Sequence, residues 1–159
     1  VGVSNLNISI GLTIQNEGGF VDNPNDKGHA TKYGITQEDL PGQDIEALTE
    51  DQATAYYQEH FVKPWMSQIV SQPVTDKVFD MSVLLGVRTA VRMLQRALGF
   101  PAEQQDGEFG DETSAHVNDA GDNLLPAYKR SLAAHFQWIV NQDPSQNEFL
   151  NGWLRRVNS

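Results

Sequence analysis

Three observations predict an all-α fold. Apolar residues recur at three- and four-residue intervals along most of the chain, capping residues bracket those stretches, and almost no segment alternates apolar with polar residues. The first helix is expected from Ser4 to Glu17, where Leu6, Ile10, Ile14 and Glu17 fall on one face and Gly18-Gly19 stops the run. Residues 20 to 36 are rich in Gly, Asn, Asp and Pro, with short apolar pieces at Phe20-Val21 and Tyr33-Gly34-Ile35, which reads as a loop with a small β-hairpin.

Helical signals return at Thr49, whose spacing to Gln52 is that of a capping box ahead of Ala53 to His60. Pro73 starts a helix carrying Val74, Val78, Met81 and Leu85, and Gly86 permits a bend. The pattern repeats in Val87, Val91, Leu94 and Leu98, and ends at Gly99. Asp111 is a candidate N-cap for residues 112 to 118. Pro126 lies in the first turn of a long helix, about 123 to 141, with Tyr128, Leu132, Phe136 and Ile139 on one side. The last helix packs through Phe149, Leu150, Trp153 and Val157, and Trp138 is also expected to pack. A weak boundary near Gly86 divides the chain into residues 1–86, which carry the loop, and a helical region, 87–159, packed with it as one globule.

The 159 residues suffice for one core, and their charged fraction of 20% and hydrophobic fraction of 39% are those of a globular chain. A net charge of -10 argues against nucleic acid as a partner, because that binding depends on Lys and Arg displacing counterions. No apolar run reaches the roughly 20 residues needed to span a bilayer, so membrane insertion is not expected. The sequence begins at Val1 and shows no basic-then-apolar leader. There is no cysteine, so no disulfide contributes.

Chemistry concentrates between Glu17 and Thr36. Cleavage of a glycoside needs a carboxylic acid to protonate the leaving oxygen, and usually a second carboxylate that activates water or attacks the sugar. Glu17 and Asp26 suit these two tasks, with Asp22 in reserve. The negative end of the helix dipole falls at Glu17 and favours a carboxyl that keeps its proton, but only by about 0.3–1 kcal/mol. Apolar neighbours such as Ile14 or Phe20 would have to add to that. The plainer reading is an exposed Glu before a Gly-Gly cap.

A metal site is not expected. With Asp22 as first ligand of an EF-hand, Pro24 would be third and Tyr33 twelfth, which no such loop accepts. His29, His60, His116 and His135 have no paired ligand spacing, and His29 alone is a candidate to line a groove. Of the aromatic residues Tyr56, Tyr57, Phe61 and Trp65, most belong to a core by their helical spacing, and Trp65, after Pro64, is the candidate to stack on a sugar.

The segments Glu17-Gly18-Gly19-Phe20-Val21, Asn23-Pro24-Asn25-Asp26-Lys27-Gly28 and Thr31-Lys32-Tyr33-Gly34-Ile35-Thr36 together resemble the signature of glycoside hydrolase family 108. The likeness continues through Phe79-Asp80, Gly86, residues 94–99, Asp106-Gly107 and residues 152–157, a second half similar to the predicted peptidoglycan-binding domain that accompanies the family. Two departures stand out: His29 occupies a position where the family often has Gly, and Leu84 one where it often has Asn.

The resemblance implies a lysozyme-like helical fold and an N-acetylmuramidase that needs no cofactor, with Glu17 as its catalytic residue. A more distant likeness to phage-type lysozymes adds Asp26 and Thr31 as holders of the attacking water. Tyr33, His29, Asp22 and Trp65 are then candidates to bind substrate. The spacing from Glu17 to Asp26 permits either the roughly 6.5–9.5 Å carboxyl separation of an inverting enzyme or the shorter one of a retaining enzyme, and the water-holding pair favours inversion.

The expected partner is bacterial peptidoglycan, met in the periplasm or outside the cell after lysis or secretion. The roles of phage endolysin, bacterial enzyme and effector domain all fit, the last two with room for an inhibitor or immunity protein. The chain is expected to act as a monomer. Lytic transglycosylase and noncatalytic wall-binding or secretion-assisting module are the alternatives. Arg88, Arg92 and Arg96 form a basic stripe expected to pair with surface carboxylates, with wall-peptide carboxylates as the alternative.

Overall fold

In the computed structural model, residues 3–22 and 30–159 are described. Seven α-helices run among them: α1 (Leu6–Glu17), α2 (Glu50–His60), α3 (Gln72–Leu85), α4 (Val87–Ala97), α5 (Asp111–Ala120), α6 (Leu124–Gln142) and α7 (Asn147–Asn158). Between α1 and α2 lies a small antiparallel sheet of β1 (Val21–Asp22), β2 (Ala30–Lys32) and β3 (Ile35–Thr36) in that order. The fold is all-α and lysozyme-like with a β element after the first helix, as the sequence predicts.

Local signals account for most helix ends. Asn5 caps α1 by accepting from the Asn7 N–H, and the Gly18 N–H donates to the Ile14 carbonyl at the other end. Thr49 and Gln52 form the reciprocal capping box of α2. Ser71 caps α3 through the Val74 N–H, just ahead of Pro73. Gly86, at φ 90°, both closes α3 and opens α4, and only glycine adopts that backbone without strain. One expectation is corrected at α5. Gly110 is the N-cap and Asp111 is the first helical residue, where its charge still meets the positive end of the dipole.

Two apolar clusters form the interior. One joins Ile10 and Ile14 of α1, Ile35 of β3, Tyr57 of α2 and Phe79 of α3. The other joins Val74, Val78 and Met81 of α3 with α4, α6 and Val157 of α7. Helix α3 therefore shows one face to each cluster. Trp65 packs against both, its ring stacked on Phe109 with centroids 4.4 Å apart and planes 11° from parallel. Helices α4 and α6 are stitched by Tyr128, whose hydroxyl donates to the Ala90 carbonyl, and by Ser131, which donates to that of Met93. Trp153 packs, stacking on Phe136, but Trp138 is 57% exposed, contrary to expectation. Among the described residues no helix is long and apolar enough to cross a membrane.

Candidate active site

The buried stripe of α1 is not wholly apolar: Ser9 and Thr13 lie on it beside Ile10 and Ile14, and Glu17 follows Thr13 one turn later. This polar edge faces α3, where Asp80 sits 3% exposed among buried residues that include Val78, Phe79 and Met81. Asp80 accepts hydrogen bonds from the Thr13 hydroxyl at 3.0 Å and the Asn16 amide at 3.3 Å. From α7, Arg156 completes the cluster. Its Nε donates to Asp80 Oδ2 at 2.9 Å, and its Nη2 donates to Asp80 Oδ1 at 3.0 Å and to Glu17 Oε1 at 2.7 Å.

The guanidinium is thus a clasp between a buried structural carboxylate and the end of α1. Burial pushes the Arg156 pKa down, but the hydrogen bond and charge of Asp80, with those of Glu17, outweigh it and hold the group above its ordinary value. Helix α7 is seated in turn by Lys77 of α3, whose ammonium donates to the carbonyls of Arg156 at 2.8 Å and Ser159 at 3.2 Å. Burial lowers the Lys77 pKa, with the Asp80 charge opposing.

The β element closes the other side of Glu17. The Tyr33 N–H donates to the Gly18 carbonyl at 2.9 Å, and the Tyr57 hydroxyl donates to the Tyr33 carbonyl at 2.6 Å, so the β2–β3 turn is tied to both α1 and α2. Tyr33 itself takes φ 55°, rare for a side-chain-bearing residue, and Gly34 follows at φ 79°. A Cβ at Gly34 would lie 2.7 Å from Glu17 Cγ and 2.6 Å from Tyr57 Oη, so this glycine is required by close approach as well as by backbone angle. The Tyr57 phenol is pushed above its ordinary value by burial first and by the charge of Glu17 second.

Glu17 keeps a side-chain exposure of 21%, enough to meet a ligand. Beside the Arg156 clasp opens a cleft of about 470 Å³, lined by Asn16, Leu84, Gly152, Trp153, Arg155 and Arg156. Leu84, which stands where the resembling family often has Asn, gives this cleft an apolar wall.

The expected surroundings of Glu17 need correction. Phe20 is 38% exposed, and among the described residues the Glu17 side chain meets a cation, Arg156, and the Gly34 turn. Of the other candidates, Tyr33 joins Glu17 through the turn. Thr31 pairs with Val21 and Asp22 with Ala30, so Thr31 and Asp22 occupy opposite faces of the sheet, and Asp22 is exposed. Asp26 and His29 lie outside the described residues. Trp65 is partly buried, packs between the two clusters and stacks on Phe109.

Asp80 and Arg156 were within segments the sequence singled out, yet neither was assigned a role. The available signal was positional. Asp80 interrupts the apolar run from Val78 to Met81, and Arg156 follows Trp153 by one turn and precedes Val157 on the packing side of α7.

A helical chain with a Glu clasped at the end of its first helix, next to a β element and an open cleft, is built as a glycoside hydrolase. Residues 10–86 match the family described as glycosyl hydrolase 108, and residues 89–158 match the predicted peptidoglycan domain. The two matches place a glycosyl hydrolase 108 region ahead of a peptidoglycan domain, and the chain is a peptidoglycan hydrolase acting on the cell wall. Among solved structures it is similar to SagA of Brucella abortus, at 27% identity and a TM-score of 0.69 over 96% of this chain and 88% of that one. No curated protein matches the sequence.

Proposed function

We propose that the chain is an N-acetylmuramidase, hydrolysing the β-1,4 bond between N-acetylmuramic acid and N-acetylglucosamine with Glu17 as general acid. The observation that carries this reading is the placement of Glu17. It ends α1, is fixed by Arg156 at 2.7 Å and by close packing of Gly34, and retains access to solvent beside a cleft. A carboxyl held this way through Oε1 is fixed in position, which is the geometric need of acid catalysis, and the proton it delivers is carried on its other oxygen, Oε2.

In this reading Glu17 delivers its proton to the glycosidic oxygen as the bond to the anomeric carbon breaks. Asp26 and Thr31 hold the water that adds to that carbon from the opposite side, and the product is inverted. Residues 1–86 carry the chemistry and 87–159 hold the polymer, with Arg156 the point at which the second region reaches into the first. Mass spectrometry of digested peptidoglycan tests the reaction. Hydrolysis yields reducing muramic acid ends, transglycosylation yields products lighter by one water, and a noncatalytic module yields none. Proton NMR of fresh products tests stereochemistry, the α-anomer appearing first if the reaction inverts.

A further inference from the structure

Away from the cleft beside Arg156, α4 and α6 build a second concave surface. Arg92 and Arg96, both exposed and one turn apart on α4, face Ala134, His135 and Trp138 of α6 across a cavity of about 460 Å³ with Met93 at its floor. Trp138 is the exposed tryptophan of the described chain, at 57%, and its indole stacks on the His135 imidazole with centroids 5.7 Å apart and planes 20° from parallel. Burial, and then the charges of Arg96 and Arg92, push the His135 pKa below its ordinary value, so the stack is uncharged at neutral pH.

The sequence leads one to expect these arginines to be used up by surface carboxylates. They are not: among the described residues neither forms an ion pair. On a chain with 21 acidic and 11 basic residues, two unpaired guanidinium groups beside an exposed indole are a local reversal of charge.

We infer that the Arg92–Arg96–Trp138 surface is a second binding site for peptidoglycan, taking stem-peptide carboxylates on the guanidinium groups and a sugar ring on the indole. The charge and shape fit that polymer. Guanidinium forks match carboxylates in bidentate geometry, and the aliphatic face of a pyranose covers a flat aromatic ring. Carboxylates and sugars also recur along a wall strand, so a site remote from the cleft holds the enzyme on its polymer and raises the local concentration of bonds to cut. The inference rests on peptidoglycan being the substrate and not on the identity of the bond cleaved.

The test is cosedimentation with sacculi stripped of protein and teichoic acid, performed in a Glu17→Gln background so that the polymer is not consumed. The variant Arg92→Ala/Arg96→Ala/Trp138→Ala, with its helical circular dichroism checked, should bind at least about tenfold more weakly. Lys63→Glu changes the net charge by the same two units at an exposed position outside α4 and α6 and should bind like the parent. Amidating the stem-peptide carboxylates should weaken the parent and leave the triple variant unaffected. Equal binding by parent and triple variant, equal loss in the charge control, no effect of amidation, or a preference for a phosphate polymer such as DNA would each overturn the proposal. If binding depends on these residues while the unmutated protein releases no sugar from the same sacculi, the binding site stands and the muramidase reading falls.

Discussion

Replacing Arg156 with Gln removes the cation that α7 inserts between Asp80 and Glu17. The Asp80 side chain is 5% exposed and that of Arg156 13%, so water replaces the lost contacts poorly. Removing one partner of a buried pair costs about 3–5 kcal/mol. Thr13 and Asn16 still donate to Asp80, which places the expected loss at the low end, about 3 kcal/mol. In a chain of 159 residues, 1 kcal/mol moves Tm by about 2–4 °C, so Tm should fall by about 6–12 °C. Asp80→Asn in the same chain removes the orphaned charge. The double variant should therefore be more stable than the sum of the single losses predicts, with a coupling of about 0.5–3 kcal/mol. Thermal unfolding of the four proteins of this cycle is the assay. A Tm change under about 2 °C for Arg156→Gln, or strict additivity, would refute the clasp.

Other outcomes follow from the same geometry. Gly34→Ala places a Cβ 2.6–2.8 Å from Tyr57 and Glu17 at φ 79°, and should cost about 1–2 kcal/mol in backbone strain alone while lowering wall-lysis activity; normal activity and Tm would show that the turn does not position the acid. Thr49→Ala removes the hydroxyl that accepts from the Gln52 N–H, while the backbone N–H of residue 49 still donates to Gln52 Oε1, and should cost about 1 kcal/mol with activity retained, checked by urea unfolding. His135 has a folded pKa below its ordinary 6.5, so the unfolded chain binds more protons between those two values, and the group's stabilising contribution is lost as pH falls through that window. His135→Gln should flatten the dependence of Tm on pH there, and an unchanged slope would contradict the assignment.

What the sequence disclosed and what it concealed divide along the range of the interactions. The α2 start was legible because Thr49 and Gln52 meet within one turn, and the end of α1 because Gly18 sits directly after Glu17. Glu17 was singled out as a candidate through its motif, but its surroundings were not legible: the partners that fix it come from Gly34 and from Arg156, 139 residues away. No local pattern encodes such a contact. Asp111 was misread by one position because Asp serves equally as a cap or in a first turn. Trp138 and the arginine stripe were misread because helical spacing reports which residues share a face, and composition reports how many carboxylates exist, while neither tells which faces are left uncovered.

The central claim is that Glu17 supplies the acid proton, and the most direct measurement is the rate of muropeptide release from purified peptidoglycan by the unmutated chain and by Glu17→Gln. The amide is nearly isosteric and can still accept from Arg156 Nη2, so the fold, followed by circular dichroism and Tm, should persist. The account predicts a fall in rate of about 10²–10⁴-fold in the folded variant. A folded variant whose rate falls by less than about tenfold would contradict it.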